Sequence, residues 1–166
     1  EMMRNFWLLV CSALIVGGAL PAYAEQQEAQ KAVLITGATT GIGRMAAEHL
    51  AANGYFVYAG ARKDKDIEEL NKIDNIQAVR LDVTIQKEID AAVEHIRREG
   101  RGLWGLVNNA GVLSSGRFEE IDPRAHELII EVNIKGLTNM AQLAFPLLRQ
   151  TPGACVVNLC SASSIH

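Results

Sequence analysis

A glycine-rich stretch early in the sequence has the composition of a phosphate-binding turn. In the segment TGATTGIG, Gly37, Gly41 and Gly43 are spaced G-x-x-x-G-x-G, with Thr39 and Ile42 between them. Glycine is needed in such a turn because the chain reverses within a few residues and because a Cβ would hold the backbone away from a phosphate. A helix that starts here would offer free N–H groups and a positive dipole end to a pyrophosphate. The spacing differs from the commoner G-x-G-x-x-G, so a purely structural turn is the alternative unless a strand precedes it and a helix follows.

The pattern around this turn alternates between strands and helices. Apolar runs predict five strands, at residues 32–36, 55–60, 76–83, 103–109 and 154–160. Helical spacing of apolar residues predicts helices between them, at residues 41–53, 64–73, 88–98 and 124–150. Strands that read as continuous apolar runs and alternate with helices predict a parallel sheet that is covered on both faces. We therefore expect a doubly wound, Rossmann-type α/β domain over residues 31–166.

Composition and charge narrow the classes of partner. Of the 166 residues, 49% are hydrophobic and 21% are charged, which is typical of one globular domain. The 16 basic and 19 acidic residues leave a formal charge of -3, so we expect no nucleic-acid partner. The four histidines, at positions 49, 95, 126 and 166, lack metal-ligand spacing, and we expect no metal site.

The first 24 residues have the pattern of a secretory signal peptide. A short basic start at residues 2–5 precedes an apolar run at 6–20, and Ala22-Tyr23-Ala24 supplies the small residues of an A-x-A cleavage site. We expect cleavage after Ala24, a polar linker at residues 25–30, and export to a periplasm or a secretory lumen. An uncleaved membrane anchor is the alternative, although the apolar run is shorter than the roughly 20 residues that span a bilayer. If the N-terminus is misassigned, the domain would be cytoplasmic.

The cysteines do not predict a disulfide framework. Cys11 would leave with the signal peptide. Cys155 and Cys160 lie in one predicted strand with a spacing that puts them on opposite faces, so we expect them not to pair. We interpret both as buried small hydrophobic residues.

Three motifs, in order along the chain, resemble those of the short-chain dehydrogenase/reductase (SDR) superfamily, classical type. TGATTGIG is similar to its cofactor turn, LDVT at residues 81–84 resembles its adenine-side strand end, and VNNAG at 107–111 matches its fourth-strand motif. The resemblance continues through EVNIKG, FPLLR and VVNLCS, and so covers the sequence from Lys31 onward. It implies an oxidoreductase that interconverts an alcohol and a carbonyl by transferring a hydride to or from the nicotinamide of NAD(P).

The resemblance also implies a cofactor-binding set. The turn residues would hold the phosphates with Ile42 beneath the cofactor, Asp82 and Val83 would meet the adenine, and the VNNAG residues would support the adenosine ribose and the central strand. The set comprises Gly37, Thr39, Gly41, Ile42, Gly43, Asp82, Val83, Asn109, Ala110 and Gly111.

Cofactor choice should be decided at the end of the second strand. An acid there binds the ribose 2′-OH of NAD, whereas an arginine meets the 2′-phosphate of NADP. Ala61 occupies the position that carries Asp in NAD-using relatives, and Arg62 follows it. We expect NADP to be preferred to NAD. The alternative is that Arg62 and Lys63 form a solvated turn beside Asp64 and Asp66.

Two catalytic residues follow from the resemblance. Asn133 matches the family's catalytic Asn, which holds a helix kink and a water, and Ser161 matches the Ser that hydrogen-bonds the substrate oxygen. Without the resemblance, Asn133 could be a helix-interior Asn bonded to backbone, and Ser161 one of several serines at a strand end. The family's Tyr-x-x-x-Lys, which supplies the general acid/base, is absent from the 166 residues.

We therefore expect an inactive N-terminal fragment of a longer, homo-oligomeric enzyme, with a sheet that lacks its C-terminal strands and helices. The alternative is a non-catalytic dinucleotide- or partner-binding protein of the same fold, whose last strand would be an exposed edge. Residues 102–111 and 145–149 most resemble the retinol and hydroxysteroid dehydrogenase branch, which implies a hydrophobic alcohol or carbonyl substrate.

Overall fold

A parallel sheet forms the centre of the fold in the computed structural model, which describes residues 30–161 apart from the Phe118 side chain. The signal peptide predicted at residues 1–24 and nearly all of the predicted linker lie outside the described residues. The strands are β1 Ala32–Ile35, β2 Phe56–Ala61, β3 Ile76–Arg80, β4 Gly105–Asn108 and β5 Cys155–Asn158. They pair in parallel in the order β3-β2-β1-β4-β5. The predicted doubly wound α/β class is confirmed.

Helices connect the strands. They are α1 Gly41–Ala52, α2 Asp64–Leu70, α3 Gln86–Glu99, α4 Pro123–Ile129 and α5 Leu137–Gln150. A π-helical segment, Ile130–Gly136, joins α4 to α5, and a 3₁₀ turn at Phe118–Glu120 precedes α4. None of the helices in the described part of the chain is long and apolar enough to cross a bilayer.

Alternating strand residues build a hydrophobic core on each face of the sheet. Leu34, Tyr58 and Leu106 point to one face, where they belong to a buried cluster with residues of α3 and α5. Val33 and Val57 point to the other face, where α1 and α2 cover them. Because parallel strands with helices on both faces bury both sides, the inner strands are apolar at consecutive positions.

The last strand is a correction to the sequence analysis. All four residues of β5 are exposed, including Val156 and Val157, and both Cys155 and Cys160 are exposed free thiols. The prediction that the cysteines are unpaired is confirmed, but the prediction that they are buried is wrong. The reason is position: β5 pairs only with β4 among the described strands and lies at the sheet edge, where an apolar run is not automatically covered.

Two further boundaries differ from the prediction. β3 ends at Arg80 rather than Val83, and residues 81–83 follow the strand at its carboxyl end. The single helix predicted over 124–150 is interrupted by the π-helical segment, whose Gly136 packs directly against Val83.

Candidate cofactor site

The glycine turn between β1 and α1 has the conformation that its sequence requires. Gly37 and Gly41 have φ of +65° and +57°, in the left-handed region that favours glycine. Thr40 precedes α1 in extended conformation and gives no side-chain cap, so the first N–H groups of α1 have no partner within the helix. The first turn of α1 also contains no acidic residue. The turn can therefore donate backbone hydrogen bonds to an anion.

The Asn109 side chain stabilises this turn through hydrogen bonds. Its Nδ2 donates to the carbonyl oxygens of Thr36 and Gly37, both at 2.9 Å. A Cβ on Gly43 would lie closer than 3.0 Å to that Nδ2 and to the Gly37 oxygen. Gly43 is thus required for close packing of α1 against the turn.

Thr36 is a functional residue that the sequence analysis missed. It is 1% exposed, and its Oγ1 accepts hydrogen bonds from the backbone N–H groups of Asn109 at 3.0 Å and Ala110 at 2.9 Å. These bonds join the carboxyl ends of β1 and β4, the two strands at which the strand order reverses. The available signal was a polar residue that ends an apolar strand directly before the first glycine.

A second wall of the site follows β3. The Asp82 Oδ1 accepts hydrogen bonds from the backbone N and the Oγ1 of Thr84, at 2.9 and 2.7 Å, and its backbone N–H donates to Glu88 Oε2 at 2.6 Å. These bonds fix the direction of the Asp82 carboxylate. Its other oxygen lies 3.7 Å from Nη1 of Arg62, whose side chain is 70% exposed.

Asn133 ties the π-helical segment to the loop after β4. Its Oδ1 accepts from the backbone N–H of Val112 and its Nδ2 donates to the Val112 oxygen, both at 2.9 Å. A Cβ on Gly136 would lie 2.7 Å from Val83 Cγ2, so the segment also packs tightly against the end of β3. π-Helical turns are frequent at functional sites, and this one is held in place at both walls of the crevice.

These walls enclose a cavity of about 500 Å³ at the carboxyl ends of the strands. All the predicted cofactor residues line it except Gly41 and Gly43, which shape the turn. The lining residues outside the predicted cofactor-binding set are Thr40, Gly60, Ala61, Lys63, Asp66, Leu81, Val112 and Val132. The volume is in the range of cofactor pockets, and the position is the switch point where doubly wound sheets bind ligands. Within residues 30–161, no group of three or more His, Cys, Asp or Glu side chains is arranged to hold a metal ion.

The sequence pattern of the short chain dehydrogenase family matches residues 31–166. The chain belongs to this family. As a short-chain dehydrogenase it resembles the mitochondrial D-beta-hydroxybutyrate dehydrogenase of Bos taurus, with 38% identity over 93% of this chain and 48% of the relative. It also resembles retinol dehydrogenase 7 of Mus musculus, with 34% identity over 94% of this chain and 52% of the relative. The chain spans about half the length of the curated relatives it matches.

Solved dehydrogenase structures share the fold. Serine dehydrogenase from Escherichia coli aligns with a TM-score of 0.76 and 28% identity, covering 81% of this chain and 64% of that one. The resemblance to the family that the three motifs predicted is confirmed, including its retinol dehydrogenase-like relatives.

The glycine turn, Arg62 and Asp82 of this short-chain dehydrogenase suit a nicotinamide dinucleotide. The first N–H groups of α1 have no partner within the helix, and Thr39, Thr40 and Ile42 beside them line the cavity. The Arg62 guanidinium and the Asp82 carboxylate line the same cavity. The two predicted catalytic residues are placed differently. Asn133 contacts the cavity wall through Val112, whereas Ser161 is exposed three positions after the end of β5, at the carboxyl edge of the sheet.

Proposed function

We propose that the protein is an NAD(P)-dependent oxidoreductase that interconverts an alcohol and a carbonyl. The observation that carries the proposal is one cavity, at the switch point of the sheet, that joins an uncapped glycine turn to the Arg62 and Asp82 wall. When bound, the dinucleotide would supply the carbon that donates or accepts the hydride. The backbone N–H groups of the turn would bind its pyrophosphate, and Asn133 would hold the π-helical segment beside the loop that follows β4.

The proposed role of Ser161 is to orient the substrate oxygen by a hydrogen bond. Proton transfer at that oxygen is assigned to a Tyr-x-x-x-Lys pair of the full-length protein, which the 166 residues do not contain. Consequently, the 166-residue chain alone is expected to give no turnover.

Steady-state kinetics of the full-length protein test this proposal. Substituting Ser161→Ala should lower kcat by about a hundredfold, as expected for removal of one oriented hydrogen-bond donor. Ser115→Ala, in an exposed loop, is the matched control and should leave kcat unchanged. Unaltered kcat in Ser161→Ala would contradict the assignment. Tight dinucleotide binding without turnover of any alcohol or carbonyl would instead favour the non-catalytic alternative.

NADP is the proposed cofactor rather than NAD. Ala61 is buried and carries no carboxylate for a ribose 2′-OH, while Arg62 and Lys63 line the adjacent cavity wall. A guanidinium bonded to a phosphate contributes a charge-assisted hydrogen bond, so Arg62→Ala should weaken NADPH binding about 10- to 100-fold and leave NADH binding nearly unchanged. Equal weakening of both cofactors would refute the role of Arg62.

The proposed substrate is a hydrophobic alcohol or the corresponding carbonyl. Support comes from the relative named retinol dehydrogenase 7 and from Val112 and Val132 in the cavity lining. The other relative is named for D-beta-hydroxybutyrate, a short hydroxy acid, so the two classes are separable in one assay. We expect a higher kcat/KM for retinol or a hydroxysteroid than for 3-hydroxybutyrate. The reverse order would overturn the substrate proposal and leave the reaction class intact.

The full-length protein is further proposed to be a homo-oligomer. Ile130, Ile134 and Phe145 are each about half exposed along the π-helical segment and α5, and a second copy would bury them. Light scattering of the full-length protein should give a multiple of the protomer mass, and Phe145→Glu should shift it toward the protomer. A monomeric wild-type protein would refute this proposal.

Export is the proposed fate of the domain, directed by residues 1–24. A fusion of residues 2–30 to an export-dependent reporter should give reporter activity outside the cytoplasm. Retention of the reporter in the cytoplasm would refute export.

A further inference from the structure

Arg80, the last residue of β3, holds the loop that carries the cavity's cationic residues. Its Nη1 donates to the backbone oxygen of Arg62 at 2.6 Å, and its Nη2 donates to Oδ1 of Asp64. The strand pairing places Arg80 opposite Ala61, and the backbone N–H of Leu81 donates to the Ala61 oxygen at 2.9 Å. The Arg80 guanidinium therefore bonds to the Arg62 carbonyl on one side of Lys63 and to the Asp64 carboxylate on the other.

Backbone hydrogen bonds lie on both sides of this contact: the Ala61 oxygen accepts from the Leu81 N–H, and the Lys63 oxygen accepts from the Ile67 N–H at 3.1 Å. Lys63 precedes α2 and provides no side-chain cap to it. The Arg62 side chain is 70% exposed, and its Nη1 lies 3.7 Å from Asp82 Oδ2. The oxygen that Arg80 binds belongs to the peptide between Arg62 and Lys63, so its bond fixes the direction in which both side chains leave the backbone.

Two cations and two carboxylates line the cavity at this corner. Asp64 is paired with Arg80, and Arg80 is not among the residues that line the cavity. Arg62 and Lys63 line it, together with Asp66 and Asp82. The Asp64 carboxylate is thus engaged by Arg80 and is not among the groups that line the cavity.

We infer that Arg80 is a positioning residue for cofactor discrimination: it presents Arg62 and Lys63 to the 2′-phosphate of NADP without binding that phosphate itself. This inference rests on the proposed function and adds a specificity determinant outside the cavity. The inference predicts an effect on NADPH binding and not on NADH binding. Loss of Arg80 should weaken recognition of the 2′-phosphate and leave the phosphate turn, which binds the pyrophosphate common to both cofactors, unaffected.

Equilibrium titration of the full-length protein with NADPH and with NADH tests the inference. We expect Arg80→Ala to raise the Kd for NADPH about five- to tenfold, as for loss of one or two hydrogen bonds, with the Kd for NADH within twofold of wild type. Arg80→Lys, which cannot make both bonds, should have a Kd for NADPH between those of wild type and Arg80→Ala. Arg98→Ala is the matched control, because Arg98 is also an exposed arginine in an ion pair, on α3 with Glu94, and it should change neither Kd.

Asp64→Ala distinguishes a positioning role of Arg80 from direct binding of the 2′-phosphate by Arg80. It removes a negative charge, so it would tighten NADPH binding if Arg80 were released to act as a phosphate ligand or if simple charge dominated. If Arg80 instead positions Arg62 and Lys63, Asp64→Ala should weaken NADPH binding about as much as Arg80→Lys does.

The inference is overturned if Arg80→Ala changes both Kd values by the same factor, if it changes neither, or if Asp64→Ala tightens NADPH binding. If Arg80→Ala does not fold, Arg80→Lys and Asp64→Ala still decide the question. A wild-type protein that binds neither dinucleotide, or prefers NADH, refutes the proposed function or its cofactor preference before any variant is compared.

Discussion

Gly43→Ala is a sharp test of the packing behind the phosphate turn, because two effects on stability have opposite signs. Gly43 lies inside α1, where alanine normally stabilises a helix by about 1 kcal/mol relative to glycine. Here the added methyl would overlap Asn109 Nδ2 and the Gly37 oxygen. Displacing the Asn109 amide would break its two hydrogen bonds to the turn, each with a net contribution of about 0.5–1.5 kcal/mol.

Overpacking adds about 1–3 kcal/mol to this cost. The expected destabilisation is therefore about 1–5 kcal/mol after the helix-propensity gain is included, which is a substantial part of the 5–15 kcal/mol typical of a domain. The turn that moves is the one proposed to bind the pyrophosphate, so NADPH and NADH affinities should fall together. This common loss distinguishes Gly43 from the selective effects expected at Arg62 and Arg80.

Chemical denaturation and dinucleotide titration of the full-length protein measure the two effects. Gly54→Ala is the control: Gly54 has a φ of +84°, is not among the cavity-lining residues, and has open space where a Cβ would be added. It should lose about 1–2 kcal/mol through backbone strain and keep its cofactor affinity. A Gly43→Ala protein that is as stable as wild type, or that binds dinucleotide equally well, would show that the close packing at Gly43 is not needed for the phosphate turn.

Three further substitutions test other contacts. Thr36→Val keeps the side-chain shape but leaves two backbone N–H groups at the end of β4 without their acceptor, so denaturation should show a loss of about 2–4 kcal/mol, and a loss below 0.5 kcal/mol would contradict this. Asn133→Asp removes the donor to the Val112 oxygen and should lower the free energy of unfolding by about 1–3 kcal/mol. Asn133→Gln keeps an amide on a longer side chain and should also be less stable than wild type, because the two bonds to Val112 depend on the length of the Asn side chain. Burial, reinforced by Glu99 and partly offset by Arg101, raises the pKa of Tyr58 above 10.0, so the neutral phenol is favoured in the folded state and stability should fall as pH rises above 10. Tyr58→Phe should reduce that alkaline loss, and an identical pH profile would contradict the assignment.

Local constraints made the glycine turn predictable from sequence. The positive φ of Gly37 and Gly41 is set within a few residues, and the strand and helix on either side follow from apolar periodicity. The position of Arg62 directly after β2 was also predictable from local sequence, because it depends only on where that strand ends. For the same reason, the doubly wound class was predicted from alternating elements alone.

Contacts between distant residues were not predictable in this way. Thr36 acts on the backbone N–H groups of residues 73 and 74 positions later, and Asn133 bonds to Val112, 21 positions earlier. The π-helical segment has a helical apolar pattern like its neighbours, so its altered hydrogen bonding has no signal in periodicity. The exposure of Cys155 and Val157 depends on what packs against β5, and an apolar run carries no information about the number of its neighbours.

We expect NADP to bind in the crevice between the glycine turn and the β3 wall, and a crystal structure of the full-length protein grown with NADP would show whether it does. The pyrophosphate should lie within hydrogen-bonding distance of backbone N–H groups in residues 37–43, the adenine beside Asp82, and the 2′-phosphate against Arg62. A dinucleotide bound elsewhere on the protein, or bound here with its 2′-phosphate directed away from Arg62 and Lys63, would rule out this binding mode.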